Sequence, residues 1–104
     1  MPNFAVPATT TDTRERLVAE ITGHVQGVGF RYFTRQAARR HGLVGWVRND
    51  PEGTVTVQAE GPRTRLDAFL DALREGPDAA EVEEIEARWE PATGRFKTFS
   101  VEYY

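Results

Sequence analysis

The chain has 104 residues, 39% of them hydrophobic and 11% aromatic, a length and composition that suit one small globular domain. Its net charge of −3 at pH 7 gives no support to a general role in binding nucleic acid or a membrane surface. The absence of cysteine excludes disulfides, thiolate chemistry and cysteine metal sites, and is compatible with the cytoplasm.

Residues 1–14 are predicted to form a flexible tail, followed by one folded domain at residues 15–104. The tail contains Pro2, Pro7 and several threonines, and it shows no periodicity. It lacks the basic and apolar regions of a secretory signal. No segment of the chain approaches the ~20 apolar residues of a membrane span. We therefore expect a cytoplasmic protein without a membrane partner.

The first predicted strand, Arg16–Thr22, alternates apolar with more polar residues, which is the period of a strand with one buried face. Its predicted core residues are Leu17, Ala19 and Ile21. The first predicted helix, Tyr32–His41, ends before Gly42, which suits a left-handed helix stop. The side of this helix predicted to face the core carries Phe30, Phe33, Ala37 and His41.

A hairpin is predicted next, with strands Leu43–Arg48 and Thr54–Glu60 joined by turn residues 49–53. The second helix is predicted to start with Thr64 as its N-cap and to end before Gly76. Its predicted buried stripe is Leu66, Phe69, Leu70 and Leu73. A strand carrying Ile85, Ala87 and Trp89 and a last strand, Phe96–Tyr104, complete the chain.

This order of elements predicts an α+β protein with a ferredoxin-like split βαβ sandwich (βαββαβ), in which an antiparallel sheet carries two helices on one face. Unrelated enzymes and binding modules share that fold, so the fold alone does not name a function. The function has to be inferred from a site.

A glycine-spaced run between the first strand and the first helix is the strongest candidate for such a site. It reads Gly23-His24-Val25-Gln26-Gly27-Val28-Gly29-Phe30-Arg31. A turn at a strand-to-helix junction directs successive backbone N–H groups into one concave space, and the helix N-terminus adds partial positive charge. The predicted backbone donors are Gln26, Gly27, Val28, Gly29, Phe30 and Arg31. With the Arg31 guanidinium beside them, they form an anion cradle suited to a phosphate.

This run resembles the first signature of the acylphosphatase family, and Gly45-Trp46-Val47-Arg48-Asn49 with Gly53, Val55 and Gly61 resembles the second. The resemblance covers roughly residues 16–104. It implies hydrolysis of the carboxyl-phosphate bond of an acyl phosphate to a carboxylate and inorganic phosphate. It also implies two catalytic residues, Arg31 to hold the phosphate and Asn49 to orient the attacking water.

No cofactor or metal is expected, because the sequence has no histidine–carboxylate cluster and an acyl phosphate is already activated. The run of acidic residues at Glu81, Glu83, Glu84 and Glu86 is interpreted as a solvated strand face. The expected partners are a small acyl phosphate substrate and inorganic phosphate, the product and a competitive inhibitor. We expect a monomer with no nucleic-acid partner.

Two other classes of function remain open on the sequence. An RNA-binding module of the same strand order would carry stacking aromatics on its central strands, whereas the strand Thr54–Glu60 has none. A non-catalytic domain that senses phosphate or carbamoyl phosphate would use the same cradle. Turnover of an acyl phosphate separates the enzyme from the sensor.

Overall fold

The structure is a computed structural model that describes residues 12–103. Within that range the elements are β1 (Arg14–His24), α1 (Phe30–Arg40), β2 (Val44–Asn49), β3 (Val55–Pro62), α2 (Arg63–Glu75), β4 (Glu81–Pro91) and β5 (Phe99–Glu102). The predicted succession of elements is confirmed, with bounds that differ by a few residues. Neither of these helices is long and apolar enough to cross a membrane.

The strands form one sheet in the order β4-β1-β3-β2-β5. Strand β1 is antiparallel to β3 and β4, and β2 is antiparallel to β3, but β5 runs parallel to β2 with Gly45 opposite Phe99. The prediction of a wholly antiparallel sheet is therefore wrong at this edge. As a result β1, β2 and β5 all run in the same direction, and their C-terminal ends lie at the same edge of the sheet.

The core lies between the sheet and the two helices. The predicted alternation in β1 is confirmed, since Leu17, Ala19 and Ile21 are all fully buried. The predicted stripe of α2 is also confirmed, and it consists of Leu66, Phe69, Leu70 and Leu73. Each fully buried leucine or phenylalanine contributes about 1.5–3 kcal/mol to folding, so these two elements anchor the domain.

The buried side of α1 differs in part from the prediction. It consists of Phe30, Thr34, Ala37 and Ala38, whereas Phe33 and His41 are only half-buried. Thr34 was not among the residues predicted to face the core. Its hydroxyl donates to the carbonyl of Phe30 at 2.8 Å, which satisfies the hydroxyl one turn back along the same helix.

The end of α1 follows the predicted left-handed stop. Gly42 has φ 68°, a conformation that favours glycine. The Gly42 N–H donates to Arg39 O at 3.1 Å, and the Leu43 N–H donates to Ala38 O at 2.8 Å. These two hydrogen bonds satisfy the last carbonyls of the helix, in the pattern of a Schellman motif.

The start of α2 depends on residues from the predicted tail. Thr64 is not its N-cap, because Pro62 takes that position and has no side-chain capping bond. Instead, the Thr64 N–H and hydroxyl donate to the Asp12 carboxylate at 3.1 and 3.0 Å, and the Arg63 N–H donates to the Thr13 carbonyl. Asp12 and Thr13, which the sequence assigns to the tail, therefore contact the folded domain. The rest of the predicted tail, residues 1–11, lies outside the described residues.

Candidate active site

The glycine-spaced loop joins the end of β1 to the start of α1, as the sequence predicts. Gly27 and Gly29 have φ 76° and 79°, in the left-handed region where a side chain causes strain. A Cβ at either position would meet no protein atom within 4 Å, so the requirement for glycine is conformational. The space beside these residues is open to a ligand.

The N-terminus of α1 opens on this loop. Gly29 is its N-cap and makes no side-chain capping bond, and Phe33 makes the first return bond, from its N–H to Gly29 O at 3.0 Å. The N–H groups before Phe33 in the first turn have no partner within the helix. They supply the donors and the partial positive charge that an anion requires.

Two apolar side chains fix this loop to the domain. Phe30 is 1% exposed and belongs to the core, and Val28 packs against the core from the loop. The backbone N–H groups of both residues were predicted to be donors to the anion. Their side chains hold the loop against the core. Anchored backbone donors need little reorganisation when they meet charge.

Arg31 lies in the first turn of α1. Its guanidinium stacks on the ring of Tyr103, with Cζ 5.1 Å from the ring centroid. None of the ion pairs formed within residues 12–103 involves Arg31. An arginine held by an aromatic face keeps its planar fork of donors available for an anion.

Asn49 is the last residue of β2 and lies half-buried. Its Oδ1 atom is buried and has no hydrogen-bond partner among the described residues. An unsatisfied buried amide oxygen typically costs about 1–3 kcal/mol, so such atoms are rare away from functional sites. The side chain of Asn49 therefore offers an acceptor that the fold itself does not use.

Arg31 and Asn49 line the same cleft, which has a volume of about 260 Å³. The lining residues are Val25, Gly27, Gly29, Phe30, Arg31, Tyr32, Arg35, Asn49, Val101 and Tyr103. Two of them are arginines and none is acidic, so the cleft favours an anion although the whole chain has a negative net charge.

Four residues of the cleft were not predicted from the sequence, and they are Tyr32, Arg35, Val101 and Tyr103. Arg35 lies four residues after Arg31, a spacing that places both on one helix face and that was visible in the sequence. Tyr103 follows β5, and it reaches the cleft only because β5 is parallel to β2. The pairing direction of a strand is not encoded locally, so no signal in the sequence predicted this contact.

The side chain of Gln26, which was predicted only as a backbone donor, ties the two halves of the site together. Its Nε2 atom donates to the carbonyls of Asp50 and Thr54 at 2.8 and 2.9 Å. These carbonyls belong to the loop after β2, directly beyond Asn49. Gln26 thus links the glycine-spaced loop to the backbone that positions Asn49.

Asp50 holds that second loop. It is 8% exposed, and its carboxylate accepts hydrogen bonds from Arg48 Nε at 3.1 Å, Thr54 Oγ1 at 2.9 Å and Thr56 Oγ1 at 2.6 Å. Burial raises the pKa of Asp50, but the three hydrogen bonds and the charge of Arg48 together lower it below its ordinary value. The ionised carboxylate is therefore a structural part of the turn.

Other residues considered from the sequence lie away from the cleft. His24 is exposed and does not line it, and Trp46 is half-buried with the Arg48 guanidinium over its ring at 5.0 Å. The acidic run on β4 is exposed, as predicted, and it consists of Glu81, Glu83, Glu84 and Glu86. Across residues 12–103, no group of three or more histidines and carboxylates is placed to hold a metal ion.

The fold and the cleft together define a small α+β domain with an arginine-lined cleft at a strand-to-helix junction. The acylphosphatase family model matches residues 17–101. The acylphosphatase of Salinibacter ruber is 48% identical over 91 residues, which cover 88% of this chain and 96% of that protein. The acylphosphatase of Nocardia farcinica is 49% identical over 84 residues, with coverage of 81% and 84%.

Solved structures also match this chain. The crystal structure of acylphosphatase from Bacillus subtilis superposes with a TM-score of 0.83 at 35% identity, and the match covers 86% of this chain and 99% of that one. Full-length HypF in its phosphate- and nucleotide-bound form gives a TM-score of 0.80 at 28% identity, but the match covers only 12% of HypF. The chain belongs to the acylphosphatase family.

Proposed function

We propose that this chain hydrolyses the carboxyl-phosphate bond of an acyl phosphate, with Arg31 and Asn49 in separate roles. The observation that carries the proposal is the buried, unpartnered Oδ1 of Asn49 in the cleft that Arg31 also lines. A phosphate-binding domain needs the arginine and the glycine-spaced loop. A side-chain amide beside them, with an oxygen that the fold does not bind, is what a hydrolase needs to orient a water molecule.

The phosphoryl group binds to the backbone N–H groups of residues 26–31 and to the guanidinium of Arg31. The planar fork of Arg31 holds two phosphoryl oxygens, which a lysine cannot do. Charge that develops on these oxygens in the transition state meets donors that are already in place.

The side-chain amide of Asn49 hydrogen-bonds the water and holds that water in line with the bond to be broken. The water oxygen attacks phosphorus, the bond from phosphorus to the carboxylate oxygen breaks, and the carboxylate leaves with the bonding electrons. A carboxylate is a good leaving group, so the reaction needs positioning and charge stabilisation more than a strong acid or base. The lining of the cleft suits that requirement, because its described residues include no carboxylate or histidine.

We further propose that no cofactor or metal takes part and that inorganic phosphate, as the product, inhibits competitively. The substrate is a small molecule, with no nucleic-acid or membrane partner. A monomer acting in the cytoplasm fits the single domain and the absence of cysteine.

The test is hydrolysis of benzoyl phosphate, an acyl phosphate, against phenyl phosphate, a monoester, with and without a chelator. We expect rapid hydrolysis of the acyl phosphate alone, at a rate that the chelator leaves unchanged, because the described residues that line the cleft include no carboxylic acid or imidazole to protonate a poor leaving group. Equal rates on the two substrates would contradict the proposed reaction. Loss of activity on chelation, restored by Mg²⁺, would contradict the metal-free mechanism.

A further inference from the structure

The cleft contains a second arginine that the proposed reaction does not use. Arg35 lies on α1 one helical turn beyond Arg31 and lines the same cleft. Residues four apart on a helix have Cβ atoms about 5–6 Å apart on the same face. Arg35 is therefore displaced along the helix axis from the glycine-spaced loop, which lies at the N-terminal end.

Arg35 has no acidic partner among the described residues. None of the ion pairs found within residues 12–103 involves it, and its one recorded contact is the ring of Tyr32, with Cζ 5.4 Å from the ring centroid. Its Nε atom is buried without a hydrogen-bond partner. No carboxylate of residues 12–103 pairs with the charge of Arg35, so an anion bound in the cleft can pair with the outer nitrogens of its guanidinium.

Each of the two arginines lies against a tyrosine ring. Tyr32 is 58% exposed and Tyr103 is 77% exposed, and both line the cleft. Each ring lies against one guanidinium, Tyr103 against Arg31 and Tyr32 against Arg35. Because each arginine is held by an aromatic face, the donors of both forks remain free for ligand oxygens.

We propose that Arg35 binds a second anionic group, carried by the acyl part of the substrate, and so favours acyl phosphates of acidic carboxylic acids. This inference rests on the proposed function. The N–H groups of the loop and Arg31 surround the phosphoryl group, which leaves the acyl part to extend along α1 toward Arg35. Val101, an apolar side chain of β5, lines the same cleft and provides a surface for the carbon skeleton.

The experiment compares benzoyl phosphate with para-carboxybenzoyl phosphate, whose added carboxylate is held away from the reacting bond by the rigid ring. We expect the parent to prefer the carboxylated substrate in kcat/KM and Arg35→Gln to lose about five- to tenfold on that substrate alone. Arg35→Lys keeps the charge and should lose less. Arg40→Gln is the matched control, because Arg40 is an exposed residue of the same helix that does not line the cleft.

A binding measurement makes the inference independent of turnover. Calorimetry with benzylphosphonate and para-carboxybenzylphosphonate, which are not hydrolysed, should show tighter binding of the carboxylated compound to the parent and no preference in Arg35→Gln. An equal loss on both substrates would place Arg35 on the phosphoryl group and overturn the inference, as would no loss on either. If the parent bound the carboxylated phosphonate more tightly but did not hydrolyse benzoyl phosphate, the proposed function would fail and the second anion site would stand.

Discussion

Arg31 and Asn49 differ in what each supplies to the cleft, and single substitutions separate them. Arg31→Lys keeps a positive charge but loses the planar fork, so both phosphate affinity and turnover should fall. Loss of one donor to a developing oxyanion typically costs on the order of 10²–10³ in rate. Steady-state kinetics with benzoyl phosphate and the Ki of inorganic phosphate measure both effects.

The control for this substitution is Arg40→Lys, an exposed change on the same helix that should alter neither value. If Arg31→Lys retained the parental Ki for phosphate, the anion would have to bind elsewhere in the cleft.

Asn49→Ala should instead lower kcat while phosphate inhibition stays close to that of the parent. An interaction made mainly in the transition state affects kcat more than ground-state binding. The effect of this variant on stability should be small, because Oδ1 of Asn49 makes no hydrogen bond within the described fold. The measurements are kcat, the phosphate Ki and a thermal melt on the same preparation.

Two outcomes would change the assignment of Asn49. A variant that melts like the parent and keeps the parental kcat would remove Asn49 from the mechanism. Loss of phosphate binding together with turnover would make it part of the anion cradle.

Among the elements, the loop between β2 and β3 determines the orientation of Asn49. The hydrogen bonds of Asp50 stabilise the conformation of that loop. Asp50→Asn keeps the shape of the side chain but replaces an acceptor oxygen with a donor that faces hydroxyl or guanidinium donors. We expect the free energy of unfolding to fall by about 1–3 kcal/mol, with a fall in kcat because Asn49 is less well fixed. Thermal melts and kinetics on benzoyl phosphate check both.

The matched control is Glu52→Gln, which makes the same charge change at an exposed position of the same loop. A variant at Asp50 with parental kcat and reduced stability would restrict Asp50 to a structural role.

How much of the site was predictable depends on how local each interaction is. The glycine-spaced loop, Arg31 and the strand end at Asn49 are encoded by neighbouring residues, and the sequence predicted all three. Two other contacts are not encoded by neighbouring residues, because each joins segments far apart in the chain. They are the capping of α2 by Asp12 and the contact of Tyr103 with Arg31. The direction of β5 decides the second of these contacts, and the sequence favoured the wrong direction.

For the whole molecule, the same distinction between local and long-range contacts applies. The helices and strands were predictable from the sequence, whereas the full lining of the cleft was not. The order of elements and the buried stripe of α2 follow from periodicity, which is a property of short segments. The cleft forms where the ends of β1, β2 and β5 meet the start of α1, so only the topology brings Val101 and Tyr103 to it. The place of Arg35 could be read from its spacing to Arg31, whereas the places of Val101 and Tyr103 could not.

Buried carboxylates make the free energy of unfolding of the whole domain depend on pH. Glu60 is fully buried on β3, and it accepts hydrogen bonds from the Thr93 N–H at 2.9 Å, the Thr93 hydroxyl at 2.8 Å and the Gly94 N–H at 3.0 Å. Burial raises the pKa of Glu60, but the bonds from Thr93 and Gly94 and the charge of Arg16 together lower it below its ordinary value. This carboxylate ties the connection between β4 and β5 to the centre of the sheet.

A lowered pKa in the folded state fixes the sign of the pH dependence. The contribution of Glu60 is complete above its pKa in the unfolded chain and is lost as the pH falls through the lower pKa of the folded state, and Asp50 acts in the same direction. We expect Glu60→Gln to cost about 2 kcal/mol at pH 7, on the order of 10 °C in Tm. That difference from the parent should shrink as the pH falls below about 4. The exposed Glu83→Gln on β4 is the control, and a Glu60→Gln deficit that stayed constant from pH 7 to pH 3 would show that the charge of Glu60 is not what stabilises the fold.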